Sequence, residues 1–451
     1  MSIKPKLNRF DITMIVVSLV IGMGIFKTPG EVALKAGNAW IFFGAWTFGG
    51  LISIFGALTF AEIGARYPVA GGFYKVFSYC YHPSIAFMIN WVAVISNAAS
   101  VAAVAIVGAE YINPYILPAS LQNATGVELT SIGQVVLLYL INFLGIKMSA
   151  RTQNVLTIFK IGLILVLCTA VFKSDALPVA HPIISPANSM IKAFALSLVA
   201  VFFTYGGYQQ TINFGGDAIK AQTNIPKGIF LGMGTVIFLY LSVNFAYYRI
   251  LGIGGLQGNS QLAAKMGGYI FGQTGFKIIS LLLFGSIMAY INVNILSNPR
   301  MYYAMAEDKI LPPIFKRVNP NTQVQSFAMS FFVLLILLTL MFVQNFGTVL
   351  DYVMFFDSIG LSLVAMSIFI LRKRTKHLDG TGIYTIKWFP YIPIIFILTY
   401  WFVTVNIFIN FEENADKNPW SLVICLSAYA SGIIIYLISR IYHKRNPATA
   451  Q

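Results

Sequence analysis

The sequence predicts an all-α integral membrane protein with twelve transmembrane helices, two of which are broken. Hydrophobic residues make up 57% of the 451 residues and charged residues only 10%, whereas a soluble domain carries about 25% charge. The mean hydropathy is +0.75. Runs long enough to cross a bilayer lie near 11–37 (broken), 40–65, 84–116, 130–147, 153–173, 190–215 (broken), 228–253, 270–305, 325–344, 348–371, 388–411 and 420–442.

The distribution of basic residues predicts the orientation. Twelve spans place both termini on one side, and the loops on that side include the cluster Arg372-Lys373-Arg374 with Lys376 and Lys387. Far fewer basic residues lie on the opposite side: Lys35, Lys173, Lys192, Arg249, Lys265, Lys277 and Lys417. The positive-inside rule therefore predicts cytoplasmic termini in a cell membrane, and the basic start runs directly into the first span, so no cleavable signal peptide is expected. An odd number of spans is the alternative.

Other features exclude several function classes. The net charge of +15 is spread over short loops and forms no contiguous nucleic-acid-binding patch. The cysteines are widely separated, so neither disulfides nor a metal site is expected, and no cofactor is predicted: Cys80, Cys168 and Cys425. The histidines lie in or near loops, whereas a membrane-embedded enzyme needs clustered catalytic groups: His82, His181, His377 and His443.

Glycines interrupt two of the apolar runs, at 22–26 and at 203–208. Unwound backbone at membrane depth persists only where protein packs around it or where it lines a cavity. Interruptions at corresponding places in two halves indicate the binding site of a secondary transporter; close helix packing is the alternative for a Gly-x-Gly motif. The pairing divides the single domain 1–451 into two inverted five-helix repeats, 11–173 and 190–371, followed by two extra helices in 388–442.

The two breaks suit a zwitterionic ligand. Free N–H groups after the first break and the positive end of the helix dipole favour a carboxylate. Freed carbonyls around Ser18–Ile21 and 203–205 favour an ammonium group. The aromatic side chains at the second break either gate the site or merely pack in the protein interior. The candidate substrate-binding residues are Val20, Ile21, Gly22, Met23, Gly24, Phe203, Thr204, Tyr205, Gly206 and Tyr208.

Five motifs, in order along the first ten spans, resemble the amino acid–polyamine–organocation superfamily. Residues 19–26, followed by Thr28-Pro29-Gly30, resemble its GSGIF signature, and residues 203–208, followed by Asn224-Ile225-Pro226-Lys227, resemble the F-x-Y-G-G-W and N-x-P-R/K signatures of its L-type amino acid transporter branch. The further matches are Ala61-Glu62-Ile63-Gly64 with Pro68 and Gly71-Gly72, residues 298–306 before Leu311-Pro312, and Leu371-Arg372.

This resemblance implies a LeuT-type fold, with a 5+5 inverted repeat, and amino acid substrates. It implies that Gly22, Met23 and Gly24 hold the substrate carboxylate and that Phe203 closes over the site as a gate. Met23 stands where the family usually has serine, so one hydroxyl contact is lost and the pocket is narrower. Asp357 resembles a pocket-lining polar position of L-type relatives; the alternative is a carboxylate bonded to water or to a neighbouring helix.

Several ionisable and polar residues lie within the spans. Lys160 either snorkels to the interface, carries protons, or, as the resemblance implies, replaces the sodium ion of sodium-coupled relatives. Glu62 and Arg66 are one helical turn apart and are expected to pair. Asp351 is expected to be solvated. Three asparagines are interpreted as contacts between helices, with ligand binding as the alternative: Asn292, Asn294 and Asn298.

The sequence therefore predicts sodium-independent exchange of neutral amino acids by alternating access. Proton-coupled symport and transport of cationic amino acids or polyamines are the alternatives within transport, and a channel is the alternative outside it. In the family that the sequence resembles, animal L-type transporters pair with a single-span glycoprotein through a cysteine in the outer loop between spans 3 and 4. The corresponding loop here, 117–130, has none, so we expect no disulfide-linked heavy chain, and a monomer or weak homo-oligomer in the lipid bilayer.

Overall fold

A computed structural model describes most of the chain, and its elements are all helical within that part. The described residues are 8–67, 72–143, 150–172, 189–214, 219–259, 261–307, 310–319, 324–342, 346–414 and 420–445. The α-helices are α1 Arg9–Val20, α2 Gly24–Ala36, α3 Ala39–Arg66, α4 Gly72–Cys80, α5 Pro83–Ile116, α6 Ala124–Phe143, α7 Ala150–Cys168, α8 Met190–Tyr205, α9 Ala221–Leu256, α10 Leu262–Ser297, α11 Pro299–Glu307, α12 Ser326–Phe342, α13 Phe346–Arg374, α14 Tyr391–Glu413 and α15 Trp420–Arg445. Short 3₁₀ helices lie at Ala119–Leu121, Thr169–Phe172, Tyr208–Phe214, Pro313–Lys316 and Lys376–Leu378.

The helices are long and apolar enough for a multi-pass membrane protein. Within the described residues, eight helices pass the length and hydropathy requirements for a span, and the bent pair α1 and α2 makes a ninth. Three shorter apolar helices lie at Phe159–Phe172, Met190–Tyr205 and Ser326–Met341. The all-helical membrane class is confirmed, whereas the count of twelve stays a prediction. Five residues of the sequence analysis lie outside the described part: Pro68, Gly71, Lys173, His181 and Lys417.

The helices form two compact units, each assembled from distant parts of the chain. The first unit comprises 1–69, 150–286 and 361–407. Within it α1 packs on α9, α2 on α8, and α3 on α8, α9 and the 3₁₀ helix Tyr208–Phe214; α7 packs on α9. Both glycine breaks therefore belong to the same unit.

The second unit comprises 70–149, 287–360 and 408–451. Its central helix is α5, which packs on α4, α6, α12 and α15. Polar side chains join its helices: the Nδ2 of Asn142 donates to Oδ1 of Asn292 at 2.7 Å, and that of Asn97 donates to Oδ1 of Asn298 at 2.7 Å. The interpretation of these asparagines as contacts between helices is confirmed for Asn292 and Asn298. Asn294 adds a bond to its own helix, at the carbonyl of Tyr290.

The predicted pair of Glu62 and Arg66 is confirmed, with Arg66 Nε at 2.7 Å from the carboxylate, and it belongs to a larger buried cluster of the first unit. Glu62 also accepts two hydrogen bonds of 2.8 Å from Arg372 and one of 2.7 Å from the backbone N–H of Ile386. Arg66 reaches Thr375 and Asp379, at 3.1 and 2.9 Å. We call these six residues the Glu62 cluster. It joins the end of α3 to the segment that follows α13.

Candidate functional site

The first break leaves two backbone donors without acceptors in the part of the chain that the structure describes. α1 ends at Val20, α2 begins at Gly24, and the two helices are bent by 56°. The N–H of Gly22 turns back to the carbonyl of Val20 at 2.7 Å. Among the described residues, none accepts a hydrogen bond from the N–H of Met23 or Gly24. These donors stand at the positive end of the α2 dipole, which is a suitable place for an anionic group.

The second break follows α8. The N–H of Gly206 bonds to the carbonyl of Phe203 at 3.1 Å, which ends the helix. Gly207 has a φ of +114°, a conformation that favours glycine, and its N–H bonds to the Oε1 of Gln209 at 2.7 Å. The chain then continues into the 3₁₀ helix that starts at Tyr208. The glycines therefore permit a sharp change of direction within an apolar segment.

The two breaks are in direct contact. A Cβ at position 207 would overlap the carbonyl oxygen of Leu19, so the two backbones touch there. A Cβ at Gly24 would lie 2.9 Å from the Oγ1 of Thr204. The hydroxyls of Thr28 and Thr204 are hydrogen-bonded to each other. The structure thus brings together the two segments that the sequence analysis paired.

Tyr240 of α9 ties the two breaks together and was not identified from the sequence. Its buried hydroxyl lies 3.0 Å from the carbonyl of Val20 and 3.4 Å from that of Thr204. The rings of Trp46 and Tyr205 pack against it, with centroids 5.9 and 5.1 Å away. Nothing in the sequence separates this residue from the other 22 tyrosines of the chain.

The predicted site residues differ in their access to solvent. Gly22, Gly24, Phe203 and Gly206 are half-buried, so this side of the breaks is open, whereas Met23 is 5% exposed. Five further members are buried: Val20, Ile21, Thr204, Tyr205 and Tyr208.

The two tyrosines of the second break pack inside the first unit. Tyr205 donates to the carbonyl of Trp46 at 3.2 Å, and Tyr208 stacks on Phe60 and bonds to the hydroxyl of Tyr400. A contact of either tyrosine with substrate stays a prediction.

Two further candidates lie away from the breaks in sequence. Lys160, in α7, is 7% exposed, which disfavours the snorkelling interpretation, and none of the described residues accepts a hydrogen bond from its ammonium group. Asp357 belongs to the second unit, where it accepts a hydrogen bond of 2.7 Å from Ser96 of α5. Asp351 is 7% exposed, so the expectation that it is solvated was wrong; it lies within α13, whose start precedes it by five residues.

We expect Tyr240→Phe to destabilise the arrangement of the two breaks. The change removes the hydroxyl that bonds to the carbonyls of Val20 and Thr204. The carbonyl of Val20 keeps the N–H of Gly22, so the expected loss is that of an ordinary hydrogen bond, about 0.5–1.5 kcal/mol. Equilibrium unfolding in mixed micelles measures this loss. Tyr248→Phe on the same helix is the control, because its hydroxyl makes no hydrogen bond among the described residues. Equal stability of the two variants would contradict the role given to Tyr240.

Comparisons with known proteins identify the family. The sequence profile of the amino acid permease family matches residues 7–434. The serine/threonine exchanger SteT of Bacillus subtilis (strain 168) is 30% identical over 414 residues, which cover 89% of this chain and 90% of that protein. The human large neutral amino acids transporter small subunit 2 is 23% identical, covering 99% of this chain and 82% of its own length.

A further relative carries a different name. The methylthioribose transporter of Bacillus subtilis (strain 168) is 25% identical and covers 87% of this chain and 86% of its own length. All three relatives are named for transport. With the paired breaks and the apolar helices, the family match leads to one conclusion: this chain belongs to the amino acid permease family of the amino acid–polyamine–organocation superfamily and is a multi-pass amino acid transporter.

Proposed function

We propose that the chain exchanges neutral L-amino acids across the membrane by alternating access, without sodium. The observation that carries the proposal is the pair of N–H groups at Met23 and Gly24, which find no acceptor among the described residues and lie beside the second break. These two donors and the α2 dipole bind the substrate carboxylate. The carbonyl of Ile21, which accepts no hydrogen bond among the described residues, binds the ammonium group. A substrate with both charges therefore fits better than one with a single charge.

The side-chain end of the substrate meets Met23 and Phe203. Met23 stands where the family usually has serine, and its bulk narrows the pocket. Phe203, half-buried at the second break, closes over the bound substrate. The name of the serine/threonine exchanger agrees with a small neutral substrate.

Inverted repeats make alternating access natural, and the composition of the units supports three of the five pairings that the repeats predict. The predicted repeat makes span 1 equivalent to span 6, span 2 to span 7 and span 4 to span 9. Spans 1, 2, 6 and 7 all fall in the first unit, and spans 4 and 9 fall in the second. Each of these three pairs thus lies within one unit, as expected if the repeats share a common architecture. Spans 8 and 10, which the repeat pairs with spans 3 and 5, are each divided between the two units. We extend this to a LeuT-type fold with twelve spans and cytoplasmic termini.

Transport by purified protein in vesicles tests the proposal. We expect uptake of labelled serine, alanine or leucine only when the vesicles contain an amino acid, and no response to gradients of sodium or protons. Uptake into empty vesicles driven by an inward proton gradient would replace exchange with symport. Competition by methylthioribose, arginine or putrescine, but not by serine, would overturn the neutral amino acid assignment.

Lys160 has the coupling role in this proposal. Its buried ammonium supplies a fixed positive charge at a site where a sodium-coupled transporter holds its ion. We expect Lys160→Ala to reduce exchange at least tenfold and Lys160→Arg, which keeps a charge that cannot be lost, to retain much of it. Lys277→Ala is the control, because that lysine is exposed. Loss of activity in Lys160→Arg, together with proton-driven uptake by the unmodified chain, would instead make Lys160 a proton carrier.

The chain is proposed to act without a disulfide-linked partner. The described loop that follows α5 contains no cysteine, and the three cysteines of the chain are unpaired in the structure. A monomer or a weak homo-oligomer is expected. The mass of the purified protein in micelles, measured by light scattering, tests this proposal.

A further inference from the structure

We propose that the last turn of α13 and the segment between α13 and α14 form a binding surface for the headgroups of anionic phospholipids. Lys373, Lys376 and Lys387 are the residues that carry the inference, and we call them the lysine surface. All three side chains are exposed. Arg374 and His377, also exposed, lie between them in sequence and add to the same basic character. The proposal does not depend on the substrate that the protein transports.

The acidic residue of the segment does not neutralise these lysines. Asp379 pairs with Arg66, at 2.9 Å. The basic Arg372 is likewise engaged: it bonds to Glu62 and its guanidinium lies 3.8 Å from the centre of the Phe389 ring. Asp379 and Arg372 are therefore paired with other members of the Glu62 cluster. The positive charge of the lysine surface stays exposed.

The Glu62 cluster also holds the segment in place. The carboxylate of Glu62 accepts the backbone N–H of Ile386, and Thr375 is bonded to Arg66, so both ends of the segment are tied to α3. Tyr384 and Ile386 are 3% and 4% exposed. The lysines thus project from an ordered segment. Little conformational entropy of this segment is lost when a ligand binds to the lysines.

The neighbouring aromatic residues place this surface at the level of lipid headgroups. Trp388 and Tyr391 are 71% and 70% exposed. Tyr391 begins α14, a candidate span whose exposed side continues with Ile394, Ile395 and Leu398. Exposed tryptophan and tyrosine at the end of an apolar span are typical of the membrane–water interface. Lys387 is the direct neighbour of Trp388, so cationic and aromatic groups lie side by side where phosphates of the bilayer are found.

Position at the interface favours lipid over other anions. A soluble anion needs only the charge, whereas a headgroup also uses the adjoining aromatic and aliphatic surface. Each basic residue close to an anionic bilayer contributes about fivefold to binding, so three lysines together amount to about a hundredfold. This attraction is electrostatic and weakens as salt shortens the Debye length.

The test measures the thermal unfolding midpoint of the full chain in neutral detergent micelles doped with phosphatidylglycerol or with phosphatidylcholine. We expect phosphatidylglycerol to raise the midpoint and phosphatidylcholine to have little effect. The triple variant Lys373→Gln/Lys376→Gln/Lys387→Gln should need about a hundredfold more phosphatidylglycerol for the same rise. The matched control is Lys227→Gln/Lys265→Gln/Lys277→Gln, which removes the same charge from exposed lysines elsewhere and should respond like the unmodified chain.

Three outcomes would overturn the proposal. One is an unchanged response of the triple variant to phosphatidylglycerol. Another is an equal rise with millimolar inorganic phosphate, which would make the surface a site for free phosphate. The third is an equal response of the unmodified chain to phosphatidylglycerol at 50 mM and 500 mM potassium chloride. This measurement uses no variant, so it does not depend on how the variant folds.

Discussion

Glu62→Gln is expected to lower the free energy of unfolding by about 3–5 kcal/mol, which is the usual cost of removing one partner from a buried ion pair. The carboxylate is fully buried and faces two guanidinium groups, those of Arg66 and Arg372, whose side chains are 2% and 24% exposed. The amide keeps the shape but not the charge, so Asp379 is the one acidic partner that the buried Arg66 retains within the described part of the chain. Equilibrium unfolding in mixed micelles measures the loss.

Glu412→Gln is the control for this change, because Glu412 is exposed near the end of α14. The double variant Glu62→Gln/Arg66→Gln should recover part of the lost stability, since it also removes the more deeply buried of the two uncompensated charges. A loss below about 0.5 kcal/mol for Glu62→Gln, which is the range of ordinary surface substitutions, would contradict the account of the cluster.

The Glu62 cluster shows how far the sequence could predict the interior. Residues four apart on one helix face each other, so the pair with Arg66 followed from helical spacing alone. Arg372, Asp379 and Ile386 are more than 300 residues further along the chain, and no periodicity connects them with α3. Their meeting depends on tertiary packing, which single-sequence patterns do not contain.

The same limit applies to the site. The breaks were predictable because glycine interruptions recur at corresponding places in two apolar runs and because a lipid environment forbids unsatisfied backbone. Tyr240 was missed, since a tyrosine on an intact apolar helix differs in no way from a core residue. Asp351 was misplaced because nearness to a helix end was taken for exposure, whereas the residue is buried in the folded unit.

Gly207→Ala is expected to reduce transport at least tenfold. The φ of +114° at this position is rarely adopted by residues with a side chain, and strain of this kind costs about 1–3 kcal/mol. The added methyl group would also overlap the carbonyl oxygen of Leu19, at the end of α1. Both colliding groups are fixed to the backbone, so no rotamer change relieves the overlap; the two breaks must move apart. Initial rates of amino acid exchange in vesicles, normalised to inserted protein, measure the effect.

Two other glycines make this prediction specific to the contact between the breaks. Gly234→Ala in α9 should transport at the normal rate, because its Cβ would meet nothing within 4 Å and alanine favours the helix. Gly24→Ala should lie between the two, since its Cβ would be 2.9 Å from the Oγ1 and 3.0 Å from the Cα of Thr204, a milder overlap than the closer approach to the carbonyl oxygen of Leu19 at position 207. If Gly207→Ala exchanged amino acids as fast as Gly234→Ala, close approach of the two broken segments would not be needed for transport. The order Gly234, Gly24, Gly207 from mild to severe would instead show that transport depends on how closely the backbones of the two breaks approach.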